Sequence, residues 1–186
     1  TQSHQNSISL MTEDVGLAII APAGKDGMIQ HARECNEKNI PFMFDPGQGL
    51  PMFDKDELMN FIKQAHYIAL NDYELQLLLD KTGLTIPKLA SSVTALIITK
   101  GSKGSSIYSN EEEFVIDPIT IKNPIDPTGC GDAYRSGLIY GIMNKYDWAQ
   151  TGHLASVMGA IKIKSQGGQN HTASISEIES LFGKSL

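Results

Sequence analysis

Short apolar runs alternate over residues 1–100 with stretches in which apolar residues recur every three or four positions. The runs have the length of buried strands, which are predicted at residues 15–21, 41–45, 67–70 and 95–99. The periodic stretches predict amphipathic helices at residues 25–38, 55–65, 73–80 and 86–92. Strands that alternate with such helices form βαβ units, so we expect an α/β fold with a mostly parallel sheet and helices on both faces. The first run is apolar throughout, which predicts a strand buried on both faces.

The pattern changes after residue 100. Residues 105–109 and 113–117 predict a hairpin around Asn110, which would give the parallel sheet an antiparallel edge, and residues 120–121 predict another short strand. Three further helices are predicted at residues 133–144, 148–165 and 176–182. Since no repeat or low-complexity linker divides the sequence, residues 1–186 predict a single domain.

Composition is typical of a folded domain outside the membrane. Hydrophobic residues make up 41% of the 186 residues and charged residues 19%. The longest apolar runs are strand-sized, well short of the roughly 18 residues that a membrane helix needs. Two cysteines, Cys35 and Cys130, make neither a disulfide framework nor a zinc site, which favours a reducing compartment and so the cytoplasm.

The net charge of −6 and the lack of a Lys/Arg block make nucleic acid a poor candidate partner. An acidic chain can still bind a phosphorylated ligand through backbone N–H groups. The chain starts at Thr1 instead of Met, and residues 1–6 are polar without a helix or strand period. We therefore expect residues upstream of Thr1 to be missing.

The strongest chemical signal is the segment Asp126-Pro-Thr-Gly-Cys-Gly-Asp132. Glycines directly before a helix let backbone N–H groups converge, and the helix N-terminus attracts an anion. Asp132 would lie in the first turn, beside that anion site. The combination suits phosphoryl transfer, in which the amides bind the phosphoryl oxygens and the carboxylate takes the proton of the attacking hydroxyl. By spacing alone, a turn followed by a favourable helix-start acid is an equally good interpretation.

This segment, with the Ala-Tyr-Arg-Ser-Gly that follows it, resembles the C-terminal signature of the ribokinase-like (PfkB) family of sugar and nucleoside kinases, usually Asp-Thr-x-Gly-Ala-Gly-Asp-x-Phe. The resemblance implies that Asp132 is the catalytic base and that Gly129, Cys130 and Gly131 form the anion hole. Pro127 replaces the usual Thr, and Cys130 replaces the usual Ala. Because the reaction needs no covalent step, Cys130 is expected to be a packing residue and not a nucleophile.

Asn71-Asp-Tyr-Glu74, after a predicted strand, resembles the family's Asn-x-x-Glu motif. The resemblance implies that Asn71 and Glu74 organise the phosphates and, through water, Mg²⁺. The same spacing fits a helix N-cap with a capping box, and both interpretations can hold at once.

Two further strand ends resemble family motifs. Thr99-Lys100-Gly101 is similar to the Thr-x-Gly turn beside the ATP phosphates, which implies that Thr99 and Gly101 line the nucleotide; a tight turn is the alternative. Phe44-Asp45-Pro46-Gly47 resembles the family's Asp-Pro strand end, which places Asp45 in the metal and phosphate environment unless it simply caps the next segment.

The polar loop at residues 165–171 corresponds in the family to a loop beside the adenine. This implies a nucleotide contact for Asn170. It also implies a monovalent cation, K⁺, held together with Asp126 and Thr128. A surface loop with a solvated His171 is the alternative.

The resemblance runs from about Val15 to the C-terminus, and the sequence between the motifs is similar to that of bacterial adenosine kinase-like members. The family's N-terminal Gly-Gly motif, substrate Asp and lid are not recognisable. We therefore expect an ATP- and Mg²⁺-dependent kinase that phosphorylates a hydroxymethyl of a nucleoside, adenosine foremost, or of a sugar. A truncated non-catalytic nucleotide-binding member and a pyridoxal or thiamine-precursor kinase of the same superfamily are the alternatives, and a homodimer is left open.

Overall fold

Six strands form one sheet in this computed structural model, which describes residues 6–186. They are β1 (Ala18–Ile20), β2 (Phe42–Phe44), β3 (Tyr67–Asn71), β4 (Ala95–Thr99), β5 (Ser105–Ser109) and β6 (Glu112–Ile116). The strands lie side by side in sequence order; β1 to β4 are parallel, and β5 and β6 form an antiparallel edge. The predicted α/β fold with an edge hairpin is confirmed.

The described residues also form seven α-helices. They are α1 (Lys25–Glu37), α2 (Lys55–Gln64), α3 (Asp72–Thr82), α4 (Ile86–Ala90), α5 (Cys130–Met143), α6 (Trp148–Lys162) and α7 (Ile175–Phe182). Short 3₁₀ segments lie at Ile8–Leu10, Gly47–Met52 and Gly101–Lys103. None of the helices in residues 6–186 combines the length and the apolar character needed to cross a membrane.

Contacts within the chain divide it into two compact units. The first unit contains residues up to 100 together with 106–113, and the second contains 101–105 together with 114–186. The hairpin thus contributes residues to both. A single domain over the whole chain stays a prediction, and its polar start at residues 1–5 lies outside the described part.

The core of the first unit is built on the strands' alternating pattern. One face of the sheet joins an apolar cluster with the helices and contributes Phe42, Phe44, Ile68, Leu70, Leu96 and Ile98. In that cluster the ring of Phe44 stacks on Phe61 of α2 at 4.3 Å between centroids, and Phe53 meets Phe61 edge-on at 5.1 Å. Each such side chain contributes about 1.5–3 kcal/mol by leaving water.

The second unit is organised by close packing of α5 against α6. A Cβ atom at Gly137 would lie 2.6 Å from the Cα atom of Ala155, so only glycine allows the two backbones this approach. Helices α6 and α7 also share an apolar cluster of Leu154, Val157, Ile161 and Phe182. This packing fixes the direction of α5 and therefore the place of its N-terminus.

Three expectations need correction. Residues 120–121 form no strand, because neighbouring Ile119 packs against the α6–α7 cluster instead of extending a sheet. Helix α5 begins at Cys130 and not at residue 133, since the left-handed Gly129 turns the chain into the helix three residues earlier. The first strand is shorter than predicted and only Ile20 in it is fully buried, because β1 lies at the edge of the sheet.

Candidate active site

Three of the predicted side chains lie at one edge of the sheet in the first unit. Asp45 directly follows β2, and Asn71 and Thr99 end β3 and β4. Because these strands are parallel, their carboxyl ends meet at the same edge, the usual ligand-binding edge of an open α/β sheet. Asn71 and Thr99 are partners in the strand register, and the Thr99 hydroxyl donates to the Leu70 carbonyl oxygen at 3.4 Å.

Asn71 and Glu74 hold each other through three hydrogen bonds. The Glu74 N–H donates to the Asn71 side-chain oxygen at 2.7 Å, and the Asn71 N–H donates to Glu74 Oε2 at 2.9 Å. The Asn71 side-chain amide also donates to Glu74 Oε1 at 2.8 Å. The predicted capping box is confirmed. It fixes the carboxylate at the start of α3 but leaves lone pairs on both oxygens for a metal-bound water.

The predicted anion site falls at the N-terminus of α5, in the second unit. Gly129 is the N-cap with φ +80°, and a Cβ atom there would lie 2.8 Å from the carbonyl oxygen of Gly168. The N–H of Cys130 donates to the Pro127 carbonyl at 3.0 Å. The N–H groups of Gly131 and Asp132 belong to the first helical turn and have no carbonyl partner within the helix. The N–H groups of Gly131 and Asp132 are therefore available to an anion, whereas the Cys130 N–H is already used within the turn.

Asp132 and Cys130 differ in their surroundings. Asp132 is an exposed residue in the first turn, where a carboxylate can meet an acceptor hydroxyl. Cys130 is half-buried, and its burial raises the pKa of the thiol, which disfavours the thiolate. This supports a packing role for Cys130.

Asp126 connects the segment before α5 to the loop after α6. One carboxylate oxygen accepts the Thr128 N–H at 2.9 Å, and the other accepts the Gly167 N–H at 2.7 Å and the Gln166 amide at 3.0 Å. The backbone hydrogen bonds from Thr128 and Gly167 lower the pKa of the Asp126 carboxyl to about 2. Asp126 is therefore a charged structural link between the two loops.

Sequence reasoning missed Lys162, the last residue of α6. Its side chain is fully buried, and its ammonium donates to the carbonyl oxygens of Asp126 and Ser165 at 2.8 and 3.1 Å. The signal was available, because Lys162 is the sole Asp, Glu, Lys or Arg in α6.

The other nucleotide-side predictions fall on two loops of the second unit. Gly101 opens the 3₁₀ turn with φ +57°, and a Cβ atom there would meet nothing within 4 Å. Asn170 lies against Gly167, whose Cβ atom would be 2.8 Å from the Asn170 amide nitrogen. His171 is not the fully solvated side chain of the alternative interpretation, since its Nδ1 is buried without a hydrogen-bond partner.

A PfkB family carbohydrate kinase model matches residues 6–175. The chain belongs to this family. The match covers most of the chain, including the Asn-x-x-Glu, Thr-x-Gly and glycine-rich segments. The family prediction is therefore confirmed.

Proteins to which this chain is similar include nucleoside kinases. The chain is 48% identical to a nucleoside kinase of Burkholderia thailandensis solved with inosine, with a TM-score of 0.95 over 97% of this chain and 60% of that one. The same protein has been solved with ADP-inosine. A nucleoside kinase of Methanocaldococcus jannaschii is 34% identical over 128 residues, which are 69% of this chain and 42% of that protein. The chain thus spans less than two thirds of the relatives it matches.

Proposed function

We propose that the protein is a nucleoside kinase, which transfers the γ-phosphoryl group of ATP to a hydroxymethyl of a purine nucleoside. The observation that carries the proposal is the start of α5, where the N–H groups of Gly131 and Asp132 and an exposed carboxylate lie together. The relative solved with inosine and with ADP-inosine supports a nucleoside acceptor and an adenine nucleotide donor. Adenosine remains the acceptor that the sequence favours.

Asp132 acts as the general base. Its carboxylate takes the proton of the acceptor hydroxyl as that oxygen bonds to the γ-phosphorus and the bond to the bridging oxygen of ADP breaks. The N–H groups of Gly131 and Asp132 donate to the phosphoryl oxygens, whose charge the helix N-terminus also favours. Thr99, Gly101 and Asn170 bind the nucleotide.

Glu74 and Asn71 fit the role of holding Mg²⁺ through water. Mg²⁺ usually keeps several waters and uses one or two protein carboxylates with the substrate phosphates. The Glu74 oxygens are held in place by Asn71 and keep free lone pairs. When bound, Mg²⁺ neutralises charge on the phosphates.

The chain offers a matched control for this metal role. Asp54 and Glu57 form the same capping box at the start of α2, with bonds of 2.9 Å in both directions. Glu74→Gln is expected to raise the Mg²⁺ concentration needed for half-maximal turnover severalfold, whereas Glu57→Gln is expected to leave it unchanged. Equal Mg²⁺ requirements in the two variants would show that Glu74 only caps its helix.

The direct test is a phosphoryl-transfer assay on the full-length protein with Mg·ATP. Adenosine, inosine, ribose, fructose, pyridoxal and the hydroxymethylpyrimidine precursor of thiamine are offered separately, and phosphorylated products are identified by mass. Product from a nucleoside at the highest kcat/KM supports the proposal. Turnover of a vitamin or sugar alone would show that the acceptor is not a nucleoside. ATP binding without any product would support the non-catalytic alternative.

The remaining expectations concern K⁺, assembly and location. K⁺ at Asp126 and Thr128 stays a prediction. The Asp126 carbonyl oxygen already accepts a hydrogen bond from the Lys162 ammonium at 2.8 Å, which favours the ammonium as the cation there. A homodimer is tested by light scattering of the full-length protein. A cytoplasmic location is predicted from cysteine usage and is tested by fractionation of cells.

A further inference from the structure

The second unit carries a buried positive charge that the proposed phosphoryl transfer does not use. Lys162 has no exposed surface, and it is the last residue of a helix that holds no other Asp, Glu, Lys or Arg. A buried ammonium is costly unless polar partners replace its water. Its partners therefore indicate why a lysine is present.

The partners of Lys162 are backbone carbonyl oxygens from two different loops. Asp126 lies before the turn at Gly129 that leads into α5, here called the anion-hole turn, and Ser165 lies in the loop after α6. Carbonyl oxygens that converge on one unit of positive charge resemble the surroundings of an alkali-metal ion stripped of its water. An ammonium group supplies the same charge and three donors.

The same two loops are linked in the opposite sense by the Asp126 carboxylate. It accepts the Gly167 N–H at 2.7 Å and the Gln166 amide at 3.0 Å. Backbone hydrogen bonds are the main cause of the low pKa of Asp126, and the nearby charge of Lys162 adds to it. The loops before α5 and after α6 are thus joined twice, by the Lys162 ammonium bound to carbonyl oxygens and by the Asp126 carboxylate bound to N–H groups.

A potassium ion at Asp126 and Thr128 does not fit this donor set. The Asp126 carbonyl oxygen already accepts a hydrogen bond from the Lys162 ammonium, and one carboxylate oxygen already accepts two N–H groups, so a potassium ion would have to share both atoms with existing donors. A second positive charge beside a buried ammonium would also be repelled strongly in a low-dielectric site.

We propose that the Lys162 ammonium takes the place of a monovalent cation at the junction of the loops before α5 and after α6, so that the protein needs no potassium. The anion-hole turn then keeps its position whatever the salt, because its cation is covalently attached. The inference concerns the junction itself and does not depend on which acceptor is phosphorylated.

Thermal unfolding of the full-length protein tests this independently of activity. Tm is measured in KCl, NH₄Cl and choline chloride at equal ionic strength. The wild type is expected to give the same Tm in all three. A Tm that is higher by several degrees in KCl than in choline chloride would overturn the proposal, since it would reveal a specific cation site.

Lys162→Ala supplies the complementary result. It removes the ammonium and opens space, so Tm in choline chloride is expected to fall by about 5 °C or more. Part of the loss should return in KCl or NH₄Cl. A Tm equal to that of the wild type, or a loss identical in all three salts, would show that Lys162 does not stand in for a cation.

Lys81→Ala is the matched control. The Lys81 ammonium also donates to two backbone carbonyl oxygens, those of Pro51 and Phe53 at 3.0 and 2.6 Å, but it is only half-buried and lies in the first unit. Its Tm is expected to be the same in the three salts. A salt-specific rescue of Lys81→Ala as large as that of Lys162→Ala would overturn the assignment. If Lys162→Ala does not fold, the wild-type comparison still decides.

Discussion

Two aspartates at the start of α5 should respond in opposite ways to the same substitution. Asp132 is exposed in the first helical turn, whereas Asp126 accepts three hydrogen bonds from its own segment and from the loop after α6. Replacing either by Asn keeps the size and removes the charge. The pair therefore separates chemistry from structure.

Asp132→Asn loses little stability. A carboxylate near a helix N-terminus contributes about 0.3–1 kcal/mol, which corresponds to a fall in Tm of at most about 4 °C for a chain of this size. Removal of a general base lowers kcat about 100- to 10,000-fold. We expect this loss in kcat with a nearly unchanged KM for the nucleoside.

Asp126→Asn has the reverse profile. An Asn amide would turn a donor toward backbone N–H groups that now donate to a carboxylate oxygen, so one of those bonds is lost. We expect a larger fall in Tm than in Asp132→Asn, with a smaller effect on kcat measured at a temperature where both variants are folded.

The assay is ADP release by the full-length protein with Mg·ATP and the preferred acceptor, with Tm measured on the same preparations. Asp132→Asn that turns over at the wild-type rate would refute the base assignment. Asp132→Asn that unfolds as early as Asp126→Asn would refute the separation of roles, because its loss of activity could then follow from disturbed structure.

Three further outcomes follow from the second unit. Gly129→Ala should lower Tm by several degrees, because φ +80° strains an alanine by about 1–2 kcal/mol and its Cβ would lie 2.8 Å from the Gly168 carbonyl oxygen; an unchanged Tm would contradict this. Tyr134→Phe should cost about 1–3 kcal/mol in urea unfolding, because the buried Ser105 hydroxyl loses its partner at 2.6 Å; no change would mean that the bond contributes nothing. The Asp126 carboxylate should contribute its full stabilisation above pH 3.8 and lose it as pH falls through about 2, because its pKa is lowered in the folded state. A difference in urea midpoint between wild type and Asp126→Asn that persists below this pH range would contradict this.

The parts of the fold and site that sequence predicted are those fixed by local physics. The strands β2 to β4 follow from apolar runs, and the capping box at Asn71 and Glu74 follows from residues three positions apart. The prediction of Asp132 as the catalytic base came from the resemblance of residues 126–132 to the family signature. Each of these signals lies within a few residues of the feature that it predicts.

The parts that sequence did not predict depend on partners far along the chain. Lys162 reaches Asp126 across 36 positions, and the turn at Gly129 needs the backbone of Gly168 beside it. No spacing rule connects such positions. The short strand expected at residues 120–121 failed for the same reason, since packing of Ile119 onto α6 and α7 competes with strand pairing.

The two capping boxes show that topology, and not the local motif, separates a candidate metal ligand from an ordinary cap. Asp54 with Glu57 and Asn71 with Glu74 have the same spacing and bonds of nearly the same length. The first pair follows a 3₁₀ segment, while Asn71 is the last residue of a parallel strand. Because ligands of open α/β sheets bind at the carboxyl ends of strands, the second carboxylate is the one that we propose for a role beside the phosphates. The Mg²⁺ requirements of Glu74→Gln and Glu57→Gln therefore test this use of topology as well as the role of one residue.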